Sequence, residues 1–172
     1  AVAVAEAVAS LTGARPAVKW PNDILIDGRK VAGILLEMSS ETDRVNFVVA
    51  GIGLNVNALR QTYSEAVRDR AISLSEKTGA PLDRAEAARR VFTSIDKWYK
   101  IYLKKGFPFV LDEWRGYFTS VGAGVRVVSF GKISEGVCAG VDTDGALLLK
   151  TVSGTVERIV AGDVETVGKA SG

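Results

Sequence analysis

The sequence predicts an α+β fold, and three features carry that expectation: an Ala/Val-rich helical opening, closely spaced strands joined by hairpin signals, and a change of texture near residue 119. Residues 1–12 read as a helix that stops at Thr12-Gly13, with Pro16 just beyond. Ala17 to Trp20 read as a short strand closed by the turn-forming run Pro21-Asn22-Asp23. Ile24 to Ile26 form the next strand, and Asp27-Gly28 is a two-residue hairpin signal leading into a partner strand from Lys30 to about Met38. The polar run SSETDR then reads as a loop before a strand over 45–56. Short strands linked in this way favour an antiparallel or mixed sheet.

Residues 58–82 are polar and irregular, with one helical turn expected near 64–70 and another at 75–77. Asp83 with Glu86 resembles a capping box. In the helix that follows, Ala88, Val91, Phe92, Ile95, Trp98, Tyr99, Tyr102 and Leu103 recur at helical spacing, which predicts Trp98, Tyr99 and Tyr102 in the core. Gly106 ends it, and a shorter helix from Phe109 to Phe118 carries Val110, Trp114 and Tyr117 on one side. From Ser120 the chain becomes short Val-rich strands cut by glycines and polar turns, which predicts a small β-barrel of about five strands, SH3-like in size. Two domains are therefore expected, 1–118 and 119–172.

Composition excludes several classes of function. Nothing approaches the ~20 consecutive apolar residues that a membrane span needs. A net charge of +2 over 172 residues gives no case for nucleic acid as the main partner. The single cysteine, Cys138, excludes an intrachain disulfide, fits a reducing cytoplasm, and reads as a small buried hydrophobe. The absence of histidine removes His-based triads, His general bases and His-ligated zinc together. Chemistry here must run on Lys, Arg, carboxylates, amides and backbone groups. The chain opens inside a helical pattern, with no initiator Met and no basic stretch followed by a cleavage site, which suggests a truncated chain.

The informative block is KWPNDILIDGRKVAGILLE, residues 19–37. Taken alone, Pro21-Asn22-Asp23 is turn chemistry, Lys30 is a solvated hairpin lysine, and Lys30, Ala32 and Ile34 are one face of a strand. Gly33 resists that reading: a glycine in mid-strand weakens it and marks a bulge or the close approach of a ligand or backbone. Gly51-Ile52-Gly53 is a second such place, and it is no dinucleotide loop, because GxGxxG is not completed and no helix follows. Two glycine-softened strands beside amide-bearing loops suit the walls of a pocket for a flat ligand. Trp20 reads as a buried strand aromatic, with ring stacking on a ligand as the alternative.

KWPND, GRKVAGIL and GIGLNVN, in that order between Lys19 and Asn57, resemble the biotin–protein ligase family. GVCAGVDTDGALLLK followed by IVAGDVETV resembles that family's small C-terminal β domain. The resemblance implies a partial class II synthetase-like catalytic domain followed by the SH3-like barrel. It implies an ATP-dependent, adenylate-forming enzyme that converts biotin and ATP to biotinyl-5′-AMP and pyrophosphate. Biotin then passes to a lysine of a biotin carboxyl carrier domain. Biotin carboxylate and α-phosphate are both anions, so a cation must be fixed between them; Lys30 stands in the position of the family's catalytic lysine. By the same resemblance Lys30, Gly33, Gly51 and Leu54 contact biotin, while Asn22, Asp23 and Asn55 lie on the ATP side. Asp23 is the residue offered to Mg²⁺.

The family's Gly-Arg-rich loop is not found in these residues, so the chain expressed alone is expected to lack ligase activity. A homodimer is a further expectation, and DNA enters only with an upstream helix-turn-helix. The alternatives are a lipoate-type cofactor ligase and a biotin-responsive repressor or binding module without turnover.

Overall fold

Helix α1 (Val2–Thr12) is made of Ala, Val and Leu with no breaker before Gly13. Gly13 adopts φ 67°, and its N–H returns to the Ala9 carbonyl at 2.8 Å. A side chain would be strained in that left-handed conformation, so the glycine ends the helix. In the computed structural model, which describes residues 1–41 and 44–169, two compact units form. One comprises Ala1–Ala17 and Asn22–Lys100, the other Val18–Pro21 and Ile101–Gly172.

In the first unit, β2 (Asp23–Ile26), β3 (Arg29–Glu41) and β4 (Arg44–Leu54) form an antiparallel meander; the short β1 (Ala17–Lys19) precedes it in the chain. Asp27 (φ 50°) and Gly28 (φ 75°) form the two-residue turn between Ile26 and its partner Arg29. Positive φ at both central residues matches the right-handed twist of the strands on either side. The expected loop over SSETDR is largely strand instead: Ser39 pairs with Phe47, Ser40 with Val45 and Glu41 with Arg44. Thr42 and Asp43 lie outside the described residues. Polar side chains report solvent exposure, and an exposed hairpin end still pairs its backbone groups. Leu35, Leu36, Met38, Phe47, Val48 and Val49, from both faces of this ladder, are each more than half exposed.

After a 3₁₀ turn at Arg60–Thr62 come α2 (Glu65–Arg68) and α3 (Leu74–Thr78), close to the expected positions. Ser73 caps α3 by accepting the Glu76 N–H. Helix α4 (Arg84–Tyr117) starts at Asp83, whose side chain accepts the Ala85 N–H. Only half of the expected capping box exists, because Glu86 turns instead to Arg89 and Arg90. The core expectation for this helix holds only along one edge. Ala87, Val91 and Ser94 are buried, whereas Phe92, Tyr99, Tyr102 and Leu103 are exposed. The apolar stripe is wider than the strip that the fold covers. Trp98 is half-buried and donates its indole N–H to Glu6 at 2.9 Å.

In the second unit, Gly106 (φ 78°) breaks α4, with Pro108 just beyond. The stretch after the break places Leu111 and Phe118 in the core beside Trp114. Those contacts group the end of α4 with the β-strands, so the units divide at Lys100, whereas the change of texture placed the domain boundary after residue 118. Five strands were expected and five form: β5 (Ala123–Ser129), β6 (Lys132–Val141), β7 (Leu147–Thr151), β8 (Val156–Ile159) and β9 (Asp163–Lys169). They make an antiparallel sheet in the order β8-β7-β6-β5-β9. Trp20 is buried in this core and donates to the Gly145 carbonyl at 3.0 Å, so it packs as a core aromatic. The adjacent turn is organised by Asp142, which accepts the Asp144 and Ala146 N–H groups and pairs with Arg158. The Arg158 bond, foremost, holds the Asp142 carboxyl below the usual carboxylate range.

Cys138 lies in the same core, and burial pushes its thiol above the ordinary value. A raised folded-state value means the native state keeps its proton where the unfolded chain ionises, so this contribution is intact below about pH 8.5 and declines as pH rises from there. A thiol-reactive chromophore at pH 8 is expected to label Cys138 only after denaturant is added. Rapid labelling of the native protein would contradict that burial. Among the described residues no helix is long and apolar enough to cross a membrane.

Candidate active site

The site grows from an irregularity at the start of β3. Leu25 pairs with Lys30 but Ile24 pairs with Ala32, so Val31 is an extra residue and the strand bulges there. A bulge re-aims the side chains on either side of it. Val31 and Ala32 are consecutive and both buried, which regular alternation would not allow. The reading of Lys30, Ala32 and Ile34 as one face is thereby corrected. Lys30 shares its face with Gly33, not with Ala32.

Asp23 stands directly opposite Gly33 in the β2–β3 ladder. The Lys30 ammonium reaches over Gly33 and pairs with Asp23 Oδ1 at 2.6 Å. With the lysine side chain 48% exposed, such a pair adds only about 0–1 kcal/mol to stability. Its consequence is orientation: it fixes where the cation sits. The same face continues onto β4, where Gly53 pairs with Gly33 and Gly51 with Leu35. A Cβ at Gly51 or Gly53 would meet protein atoms no nearer than 3.7 Å, so packing does not explain these glycines. Together they leave a flat strip of bare backbone beside a fixed positive charge. Leu54 pairs with Ala32, on the face opposite that of Lys30, Gly33 and Gly51.

The two asparagines spend their amide groups on the backbone. Asn22 Nδ2 donates to the Ile34 carbonyl at 2.7 Å, and the Asn22 carbonyl accepts the Ile34 N–H at 3.0 Å. Asn55 donates its backbone N–H to the Val31 carbonyl, and its Nδ2 to the carbonyls of Ile72 and Lys30. Asn55 is thus a strut behind the bulge, and among the described residues neither amide oxygen accepts a hydrogen bond, so each can take another donor. Asn57 binds Leu82 through both ends of its amide, closing the intervening loop.

Sequence reasoning missed the segment that holds the Lys30 backbone. The Lys30 N–H donates to the Arg70 carbonyl at 2.7 Å, and the Lys30 carbonyl accepts the Ile72 N–H at 3.0 Å. Ala71, Ile72, Ser73 and Leu74 are buried inside a stretch whose overall polarity suggested a loose connection. That short run of small and apolar residues was the only signal. Around it, Glu76 pairs with Arg29 and Arg60, and Lys77 with Asp27, tying the hairpin end to α3.

These residues do not form a cage of protein ligands for Mg²⁺, an ion that ordinarily takes one or two carboxylates plus phosphate oxygens. Among the described residues no three Asp, Glu, Cys or His groups converge. Asp23 already carries an ammonium on one oxygen, and a divalent cation there would stand against a like charge.

A fixed ammonium beside an open glycine floor suits a flat, anionic ligand, and comparison with known proteins is consistent with this. Residues 1–57 match the Biotin/lipoate A/B protein ligase family, and residues 121–166 match the Biotin protein ligase C terminal domain. The chain belongs to the biotin protein ligase family. It is 37% identical over 165 residues to the bifunctional ligase/repressor BirA of Bacillus subtilis, covering 96% of this chain and 50% of that protein. It is 34% identical to the biotin–[acetyl-CoA-carboxylase] ligase of Mycobacterium tuberculosis, covering 95% of this chain and 59% of that one. The chain thus spans about half the length of the curated relatives it matches. Among solved structures, the apo biotin protein ligase of Aquifex aeolicus superposes with a TM-score of 0.85 at 28% identity, over 96% of this chain and 72% of that one. The Aquifex enzyme in complex with biotin and ATP gives 0.81 over 96% of this chain and 68% of that one.

Proposed function

We propose that this chain supplies the cationic wall of a biotin protein ligase active site. In that reading the parent protein joins biotin to ATP, forming biotinyl-5′-AMP and releasing pyrophosphate. It then passes the biotinyl group to a lysine amine of a biotin carboxyl carrier domain and releases AMP. The observation that carries the reading is the Lys30 ammonium, held on Asp23 above the glycine strip of Gly33, Gly51 and Gly53. Lys30 lies between the biotin carboxylate and the α-phosphate, where negative charge gathers in the transition state. The bare backbone at Gly51 lets the ring system approach closely. The free oxygen of Asn22 faces the adenine amine, and Asp23 orients Lys30. Mg²⁺ arrives as the nucleotide's counter-ion. Asn55 supports Lys30 from behind the strand, and its own oxygen is the group offered to the nucleotide.

The fold reading that accompanies this function is a class II synthetase-like catalytic part over 1–118 and a closed SH3-like barrel over 119–172. The protein works in the cytoplasm. It pairs with a second copy, and it binds DNA only where a helix-turn-helix precedes this sequence. Biotin-dependent exchange of pyrophosphate into ATP, run beside lipoate in a protein carrying this chain, tests the substrate. Biotin is expected to support exchange at least about 10²-fold better than lipoate, the upper part of the range that pocket size and shape alone provide. Equal rates, or none with biotin, would overturn the reading.

A further inference from the structure

A Cβ built on Gly33 would lie 2.9 Å from Lys30 Nζ and 3.0 Å from Lys30 Cε, with Asp23 Oδ1 next at 3.5 Å. The first is closer than side chains come, the second is tight and the third is ordinary contact, so a side chain here requires the lysine head group to shift by a few tenths of an ångström. The atoms that need the empty space at Gly33 therefore belong to the head group of Lys30 itself. Backbone conformation does not demand glycine here, because Gly33 is not among the positive-φ residues. Gly51 and Gly53 contrast with it, since a Cβ at either meets nothing closer than 3.7 Å.

We propose that Gly33 is a positioning residue for Lys30: its missing side chain leaves the gap across which the ammonium reaches Asp23, and any larger residue pushes the cation off that carboxylate. The proposal rests on Lys30 being the catalytic cation, and it replaces the expectation that Gly33 is small only to admit biotin. Three features work together. The bulge at Val31 turns Lys30 onto the face of Gly33, the register puts Asp23 across from that glycine, and Asn55 holds the bulge from behind. Because the crowded atoms end a flexible side chain, substitution is relieved by moving the lysine and not by moving the strand. The fold survives and the geometry does not.

The test compares Gly33→Ala, Lys30→Ala and the double variant in a protein carrying this chain. Thermal melts, biotin affinity, the kcat of biotin-dependent pyrophosphate exchange and the crystal structure of Gly33→Ala are measured. In Gly33→Ala the Lys30 Nζ to Asp23 Oδ1 distance, now 2.6 Å, should lengthen by at least a few tenths of an ångström as the head group moves clear of the new methyl. The kcat should fall measurably, by less than the about 10²-fold that an ångström's misplacement of a reacting group costs, with biotin affinity little changed. Adding Gly33→Ala to Lys30→Ala should cost nothing further, because the only group that the glycine serves is gone. An unchanged kcat with the ion pair intact overturns the proposal. So does weakened biotin binding with the ion pair intact, which would assign the space to ligand. If Gly33→Ala does not fold, the double variant decides, since removing the lysine side chain removes the overlap; an unfolded double variant also overturns the proposal. If Lys30→Ala keeps full activity, the catalytic reading of Lys30 fails, while the displaced or undisplaced ion pair in Gly33→Ala still settles what the glycine positions.

Discussion

Replacing Lys30 with alanine in a protein carrying this chain is expected to slow biotinyl-adenylate formation by on the order of 10²–10³-fold, the scale seen when one charge-stabilising donor is removed from a preorganised site. Single-turnover formation of the adenylate is the measurement, with kcat separated from the KM for biotin and for ATP. The effect should fall mainly on kcat, because the carboxylate and phosphate share the cation most strongly as charge develops between them. The fold should be indifferent. The Lys30–Asp23 pair is half-exposed on the lysine side, and such pairs add about 0–1 kcal/mol. The melting temperature is therefore expected to move by only a few degrees. Arginine is a poor substitute, since its planar fork is larger and the Lys30 head group already fills the space that a side chain at Gly33 would take. A Lys30→Ala protein that forms adenylate at the parent rate would remove the central element of the proposed function.

Replacing Trp20 with alanine is expected to have the largest effect on stability, about 3–5 kcal/mol, the range for deleting a buried aromatic. Trp20 is 4% exposed, sits among core residues including Leu147, Leu149 and Phe118, and donates its indole N–H to the Gly145 carbonyl. Alanine there leaves both a cavity and a carbonyl without its donor. Phenylalanine fills much of the space and loses only the hydrogen bond, so Trp20→Phe should cost about 1 kcal/mol. Denaturant unfolding followed by far-ultraviolet dichroism reads both variants. Equal, small losses would mean that this core does not depend on the ring.

Much of the fold was legible because its signals are local. Gly13 stops α1, Asp27-Gly28 makes the hairpin, Gly106 breaks α4, and five Val-rich strands follow residue 120. Each depends on backbone conformation over a few residues. The readings that failed depended on what lies across space. SSETDR looked like a loop because polarity reports solvent and not pairing, yet Ser39–Glu41 continue the ladder. Tyr99 and Tyr102 looked like core because helical spacing marks an apolar face without saying how much of it is covered.

The site divides along the same line. Its chemical inventory belongs to the sequence alone: a chain without histidine, with one lysine following Asp-Gly-Arg and glycines in two neighbouring strands, had to work through a cation and backbone groups. Which residues act together was decided only by tertiary structure. One extra residue at Val31 changes the phase of a strand whose side chains alternate with period two, so Lys30 meets Gly33 and Asp23 and turns away from Ala32. The contacts that hold the bulge come from Asn55 and residues 70–72, far along the chain, and no pattern local to Lys30 encodes them.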